Sequence, residues 1–176
     1  MQIRTHIGVS LDGFVAGSDG RPAVLSMRDF IPGQSHGHPE FIAGCDAVVM
    51  GRHTFEPALG APEWPWRGLQ VFLLSTRPVP ADAPTGVTSA PTASGLLALM
   101  RARGSDGDVH LVGGPQTIEA FREIGALERL EVILLPLLLG AGLPLTRRGS
   151  ELVRLGLDSH RQFPDGSVEL AYSLNS

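Results

Sequence analysis

Three apolar runs of strand length, each broken off by residues suited to holding an anion, constrain this chain more than any other feature. Ala47-Val48-Val49-Met50 gives way to Gly51-Arg52-His53-Thr54-Phe55-Glu56, Gln70 to Leu74 gives way to Ser75-Thr76-Arg77, and Val109 to Val112 gives way to Gly113-Gly114-Pro115. Short continuous apolar stretches bounded by turn residues read as buried strands. The segments that follow supply backbone N–H groups, hydroxyls and guanidinium groups, which are the donors that grip phosphate oxygens. One such loop is weak evidence. Three at the ends of successive strands describe an extended nucleotide lying across one edge of a sheet.

The rest of the pattern supports that architecture. Gln2 to Val9 alternates as a first strand and closes on the turn Ser10-Leu11-Asp12-Gly13, where Asp12 is a structural turn former. Residues 17–38 carry Gly17, Gly20, Pro22, Pro32, Gly33 and Gly37 with no period, so they form a long loop with a helical turn around Ser26 to Phe30. Loops of that length in compact domains are often functional. Pro39 to Ala43 is a short helix with proline in its first turn, and Thr54 starts another that Pro57 or Gly60 stops. Thr85 to Ser89 is a weak strand. Ser94 caps a helix through Leu96, Leu97, Leu99 and Met100 to Gly104, and Pro115 opens one through Ile118, Phe121 and Ile124 to Gly125.

Leu130 to Leu139 is apolar without alternation, a strand covered on both faces and ended by Gly140-Ala141-Gly142 and Pro144. Gly156 to Phe163 and Ser167 to Leu174 pair as a hairpin around Pro164-Asp165-Gly166. Strand, helix, strand alternation then gives an α/β fold: one domain over residues 1–176, a mostly parallel sheet of about eight strands, flanking helices and an antiparallel C-terminal hairpin.

Composition narrows the function. At 176 residues with 43% hydrophobic side chains, the chain can bury one full core and is short for two. A net charge of −4 with no basic run points away from nucleic acid and from anionic membrane surfaces. The lone Cys45 cannot form an internal disulfide and sits between Ala43 and Ala47, which suits a reducing compartment. The first residues lack a signal peptide's apolar stretch, and no segment approaches the roughly 20 apolar residues of a spanning helix. The expectation is a cytoplasmic protein whose partner is a small molecule.

Each loop has its own chemistry. Two glycines after a strand let a pyrophosphate approach the backbone with no Cβ in the way, and the helix opened by Pro115 aims its free N–H groups at that anion. The pattern is not the Rossmann fingerprint, because Gly-x-Gly-x-x-Gly is absent. Gly51 admits a close ligand, and Arg52 and the Thr54 hydroxyl can hold phosphate oxygens. Glu56 pairs with Arg52 or caps the helix. Ser75-Thr76-Arg77 brings hydroxyls and a fork-shaped guanidinium, a set suited to a phosphate monoester. His36-Gly37-His38-Pro39-Glu40 has imidazole and carboxylate ligands that suit zinc, but in a Gly- and Pro-rich loop it reads as solvated or as touching substrate, and no metal is expected. Trp64 and Trp66 could wall an aromatic pocket, form a lid or meet another subunit.

In this order the loops resemble the dihydrofolate reductase superfamily, including the reductase domain of bacterial riboflavin biosynthesis. Gly51 to Glu56 is similar to the string dihydrofolate reductases carry at their second strand. Ser10-Leu11-Asp12-Gly13-Phe14-Val15-Ala16 and the segment from Pro136 to Leu145 resemble the opening signature and the late strand and turn of the riboflavin branch (its RibD C-terminal domain), of which this looks like a stand-alone member. The resemblance spans the chain. It implies a dihydrofolate reductase-like fold, a cis bond between Gly113 and Gly114, and NADPH whose 2′-phosphate rests on Ser75-Thr76-Arg77. It implies that Gly51, Arg52, Thr54, Ser75, Thr76, Arg77, Gly113, Gly114 and Thr117 seat the cofactor. Hydride then moves directly to a small pterin- or pyrimidine-like heterocycle, without metal or flavin. Asp29 is the nearest candidate for the substrate-side acid and Glu40 the second. The resemblance also implies a homodimer, for which the late strand and Trp64/Trp66 offer surfaces. Ala23 stands where tryptophan is usual and Phe14 where the riboflavin branch has lysine, so a non-catalytic NADPH binder and a heterocycle-sequestering relative stay open as alternatives.

Overall fold

Alternation of apolar runs with loops and helices builds one eight-stranded sheet and a small two-stranded one. The computed structural model describes residues 1–104, 106–147, 149 and 152–174. Its strands are β1 (Ile3–Ser10), β2 (Phe14–Ala16), β3 (Cys45–Gly51), β4 (Gln70–Leu74), β5 (Thr88–Ala90), β6 (Asp108–Gly113), β7 (Arg129–Leu135), β8 (Leu143–Pro144), β9 (Gly156–Gln162) and β10 (Val168–Ser173). The large sheet runs β5-β4-β3-β6-β1-β7-β10-β9. Every neighbouring pair from β5 to β7 is parallel, whereas β10 and β9 are antiparallel. This is the predicted sheet with its closing hairpin. The parallel order has one consequence for function: the chain leaves β1, β3, β4, β6 and β7 at the same rim.

Helices cover both faces, which explains the unbroken apolar character of β3. Helices α3 (Ala93–Arg103) and α4 (Pro115–Glu123) set Leu96, Met100, Ile118 and Phe121 against Ala47, Val49, Phe72 and Leu111. On the other face, α2 (Arg52–Leu59) packs Phe55 against Val48, Met50 and Leu73. Helix α1 (His38–Ile42) carries proline in its first turn, as predicted, and places Phe41 over the Arg4 guanidinium, 4.4 Å from ring centre to Cζ.

Several boundaries differ from the sequence reading for identifiable reasons. Helix α2 starts at Arg52, two residues before the expected Thr54, and is ended by Gly60, the second of its two expected stops, with Pro57 inside it. Proline there removes one internal N–H, but fully burying Phe55 on the sheet outweighs that loss. Helix α3 is capped by Thr92, whose hydroxyl accepts from Gly95 N at 3.1 Å; Ser94 is its second residue. Strand β7 stops at Leu135 because Pro136 has no N–H to extend the ladder, and Leu138 is exposed. The turn in the long loop is a 3-10 turn at Ala23–Ser26, earlier than predicted, because Ala23 packs against Ile133 and Leu135. Strand β5 starts at Thr88, beyond the left-handed Gly86.

Trp64 and Trp66 are not a free aromatic wall. Trp64 meets Phe55 edge-on at 5.6 Å and Trp66 at 5.2 Å, so both finish the α2-side core. Cys45 is buried, its thiol pointing to the Phe41 carbonyl, and burial pushes its pKa up to about 11. It is therefore a packing residue and a poor nucleophile. Among the described residues, no helix is long and apolar enough to cross a membrane.

Candidate functional site

The three predicted loops lie side by side on one rim. Strand β3 sits between β4 and β6, with Gly51 level with Leu74 and Met50 level with Gly113. Gly51 and Gly114 precede the first residues of α2 and α4, and neither helix start has a side-chain cap. Both helices thus turn their N-terminal ends to the same rim, where a helix dipole favours an anion. At α4 Pro115 has no N–H and the Thr117 N–H donates to the Gly114 carbonyl at 2.9 Å, so that end acts mainly through its dipole. The Gly113–Gly114 bond is cis, as the resemblance implied.

Glycine is required where the loops converge. A Cβ on Gly51 would lie 2.5 Å from the Thr117 hydroxyl, and Gly113 has a φ of 120° that side chains rarely adopt. Thr117, in the first turn of α4, is buried with its hydroxyl against Gly51. Thr54 reaches from the first turn of α2 toward Gly114: a Cβ built on Gly114 would stand 3.9 Å from its hydroxyl. The resulting cradle is lined by backbone, sterically closed to a side chain at Gly51 and conformationally closed to one at Gly113. Its donor set fits a pyrophosphate.

Arginine 52 takes a different part from the one its motif suggested. Its Nε donates to Ser75 Oγ at 2.9 Å, Nη1 to Glu56 at 2.8 Å, and Nη2 to the carbonyls of Arg77, at 3.0 Å, and Pro78. Ser75 Oγ in turn accepts the Arg77 N–H at 3.0 Å. Arg52 therefore braces the turn after β4, and only its Nη1 points to a partner that a ligand could replace. Thr76 and Arg77 are exposed on that turn. The Arg77 side chain is 64% exposed and lies 3.5 Å from Glu56. It is the more exposed of the two guanidinium groups there.

The rim continues past β6 to the ends of β1 and β7. Asp12 joins the two loops there: its carboxylate accepts from Ser10 Oγ at 2.6 Å, Leu139 N at 3.1 Å and Gly140 N at 2.7 Å. These bonds, led by that from Ser10, hold its pKa below the usual value. Strands β2 and β8 pair just beyond, and Gly142 lies directly on the Ala16 carbonyl. The local pattern assigns Asp12 a turn role only; its partners 127 and 128 residues away carry no local signal. Asp29 follows the 3-10 turn and is exposed. Glu40, on α1, is exposed over the first halves of β1 and β6, away from this rim. A cavity of about 450 Å³ opens at the opposite rim, lined by Asp46, Gln70, Arg103 and Asp106, and includes none of the predicted residues.

The His36 segment is not solvated. His36 is buried, with Nε2 2.7 Å from Asp165 in the β9–β10 turn, and its carbonyl lies 3.0 Å from His6 Nε2. His38 sits between His6 and His110, at ring distances of 5.7 and 5.9 Å; burial lowers its pKa, and that of His110 far more. Among the described residues no such group is placed to hold a metal. Burial alone would raise the Asp165 pKa, but hydrogen bonds from Ser167 and His36 outweigh it and bring it down to about 2. A carboxyl depressed in the folded state stabilises the fold above its ordinary value of 3.8, and that contribution is lost as pH falls toward 2. Asp165→Asn is expected to cost about 1 kcal/mol at pH 7, after allowance for solvent screening. The gap to wild type should close between about pH 4 and pH 2 in urea melts, and equal stability at pH 7 would contradict the pairing.

Sheet order, flanking helices and the anion-receptive rim together define a dihydrofolate reductase-like, reductase-type α/β fold. The chain belongs to the RibD C-terminal domain family, whose model matches residues 2–168. It is 25% identical to the uncharacterised protein YwjB of Bacillus subtilis (strain 168) over 169 residues, 95% of this chain and 94% of that one. A protein from Shewanella sp. PV-4 assigned provisionally to riboflavin biosynthesis superposes with a TM-score of 0.86 at 23% identity, covering 100% of both chains. A diaminohydroxyphosphoribosylaminopyrimidine deaminase/5-amino-6-(5-phosphoribosylamino)uracil reductase from Thermotoga maritima superposes with a TM-score of 0.69 at 15% identity, over 98% of this chain and 56% of that one. At these identities the two superpositions speak for the fold.

Proposed function

We propose that this protein is an NADPH-dependent reductase that acts on a small pterin- or pyrimidine-like heterocycle. The observation that carries the reading is the convergence of Gly51, Gly113-Gly114 and Ser75-Thr76-Arg77 on neighbouring strands at one rim. When bound there, NADPH would supply the hydride. The chain's own residues would do the rest: the starts of α2 and α4 hold the pyrophosphate, and Arg77 holds the 2′-phosphate. The loops joined by Asp12 shape the place where a flat ring would stack. Asp29 is the candidate proton donor or hydrogen-bond partner of substrate. We also propose that the chain works as a cytoplasmic homodimer, which sedimentation would test.

One observation favours a second reading, a dinucleotide binder without turnover: Asp29 is exposed, where an acid engaged with substrate would be enclosed. The same experiment addresses both. NADPH is titrated by fluorescence, and NADPH oxidation is followed with dihydrofolate, dihydropterins and ribitylaminopyrimidines. We expect micromolar or tighter binding and oxidation with at least one acceptor. Binding without oxidation selects the second reading, and no binding removes both.

A further inference from the structure

Two guanidinium groups share one carboxylate oxygen at the adenosine end of the rim. Arg52 Nη1 lies 2.8 Å and Arg77 Nη2 3.5 Å from the same Glu56 Oε1. Glu56 stands one turn after Arg52 on α2, whereas Arg77 arrives from the turn after β4. The other nitrogens of Arg52 are bound to Ser75 and to the carbonyls of Arg77 and Pro78, so only the groups facing Glu56 are free to exchange partners. A phosphate approaching Arg77 thus meets two cations and an anion already seated between them.

We propose that Glu56 is a specificity-determining residue: its carboxylate competes with the 2′-phosphate of the cofactor for Arg77 and Arg52, and so restrains the preference for NADPH over NADH. The inference rests on the NADPH reading of this rim and assigns a role within it. Glu56 is ionised at neutral pH, because the hydrogen bond from Arg52 lowers its pKa. Its charge repels a phosphate and leaves a neutral ribose hydroxyl little affected. Removing the charge should therefore act on one cofactor and spare the other. A merely structural Glu56, one that only holds Arg52 in place, predicts the reverse sign: its loss would loosen the turn and weaken NADPH.

The test is a fluorescence titration of the full chain with NADPH and with NADH, in wild type, Glu56→Gln, Glu56→Asp and the double variant Glu56→Gln/Arg77→Ala. Glu56→Gln should raise the NADPH-over-NADH affinity ratio about two- to five-fold, the range expected for a solvent-accessible charge pair. The gain should shrink in 0.5 M salt, as screening requires, and be smaller in the Arg77→Ala background, where competition for that guanidinium is gone and only Arg52 and the direct repulsion remain. Glu56→Asp keeps the charge and should keep the wild-type ratio. The Glu56 side chain is 42% exposed, so Glu56→Gln should melt near the wild-type temperature, and a melt on each variant checks this. An unchanged or lowered ratio in a folded Glu56→Gln overturns the role of Glu56 while leaving NADPH binding intact. If wild type binds neither dinucleotide, the reductase reading fails first and this inference falls with it.

Discussion

Gly142→Ala is expected to destabilise the protein by about 3 kcal/mol, from a left-handed backbone and a buried overlap acting together. Gly142 has a φ of 151°, and an added Cβ would overlap the carbonyl oxygen of Ala16. That carbonyl belongs to β2, which pairs with β8 through Ala16 and Leu143, so relieving the overlap means parting that two-stranded ladder. For a chain of this size the loss corresponds to a fall of about 6 to 12 °C in melting temperature. Gly140→Ala is the control: its φ is 72°, but nothing lies within 4 Å of the added atom, so the steric part of the cost is missing. A Gly142→Ala melting temperature within experimental error of wild type would show that the β2–β8 contact is not tight.

Arg77→Ala should remove most of the discrimination between NADPH and NADH. Its guanidinium is the only cation of the turn that combines exposure with freedom from backbone bonds among the described residues. Charge-assisted hydrogen bonds to a phosphate contribute about 1.5–3 kcal/mol, so the affinity ratio should fall about ten- to a hundred-fold, nearly all through NADPH. NADH binding should be unchanged, because the turn itself is built by Arg52 and Ser75. Equal NADPH affinity in wild type and variant would refute the assignment. Arg52→Ala makes a useful contrast: it should weaken both cofactors, since it dismantles the turn that presents Arg77.

The fold was legible where local pattern and long-range packing agree. The apolar run Ala47 to Met50 is buried on both faces, so its lack of alternation identified it as an inner parallel strand. Pro115 and Gly125 marked α4, because a missing N–H and a left-handed cap act within a single turn. Readings failed where a distant contact decided the outcome. Of the two stops offered for α2, burial of Phe55 selects Gly60 over Pro57, a choice the local sequence does not record. Strands β2 and β8 exist only through each other. Trp64 and Trp66 looked like candidates for a pocket until Phe55 was found beneath them.

The candidate site divides in the same way. Gly51 and Gly113-Gly114 were found from backbone needs, which sequence states directly. The involvement of Arg52 was readable from its motif, but its use as a brace depends on Ser75 and on carbonyls 25 and 26 residues further on. His6 and His110 escaped notice because each stands alone in a strand, and only α1 and the loop before it bring His36 and His38 to them. No local signal could have found that group.

The brace of Arg52 on Ser75, Arg77 and Pro78 has a consequence for kinetics. Those bonds run between the chain's own groups, so the conformational entropy of that turn is given up when the chain folds and not when a nucleotide arrives. The adenosine end should then dock as a rigid mould, with free and occupied forms superimposing at residues 75–78. Substitutions on its surface should therefore alter the residence time of the nucleotide far more than its rate of capture.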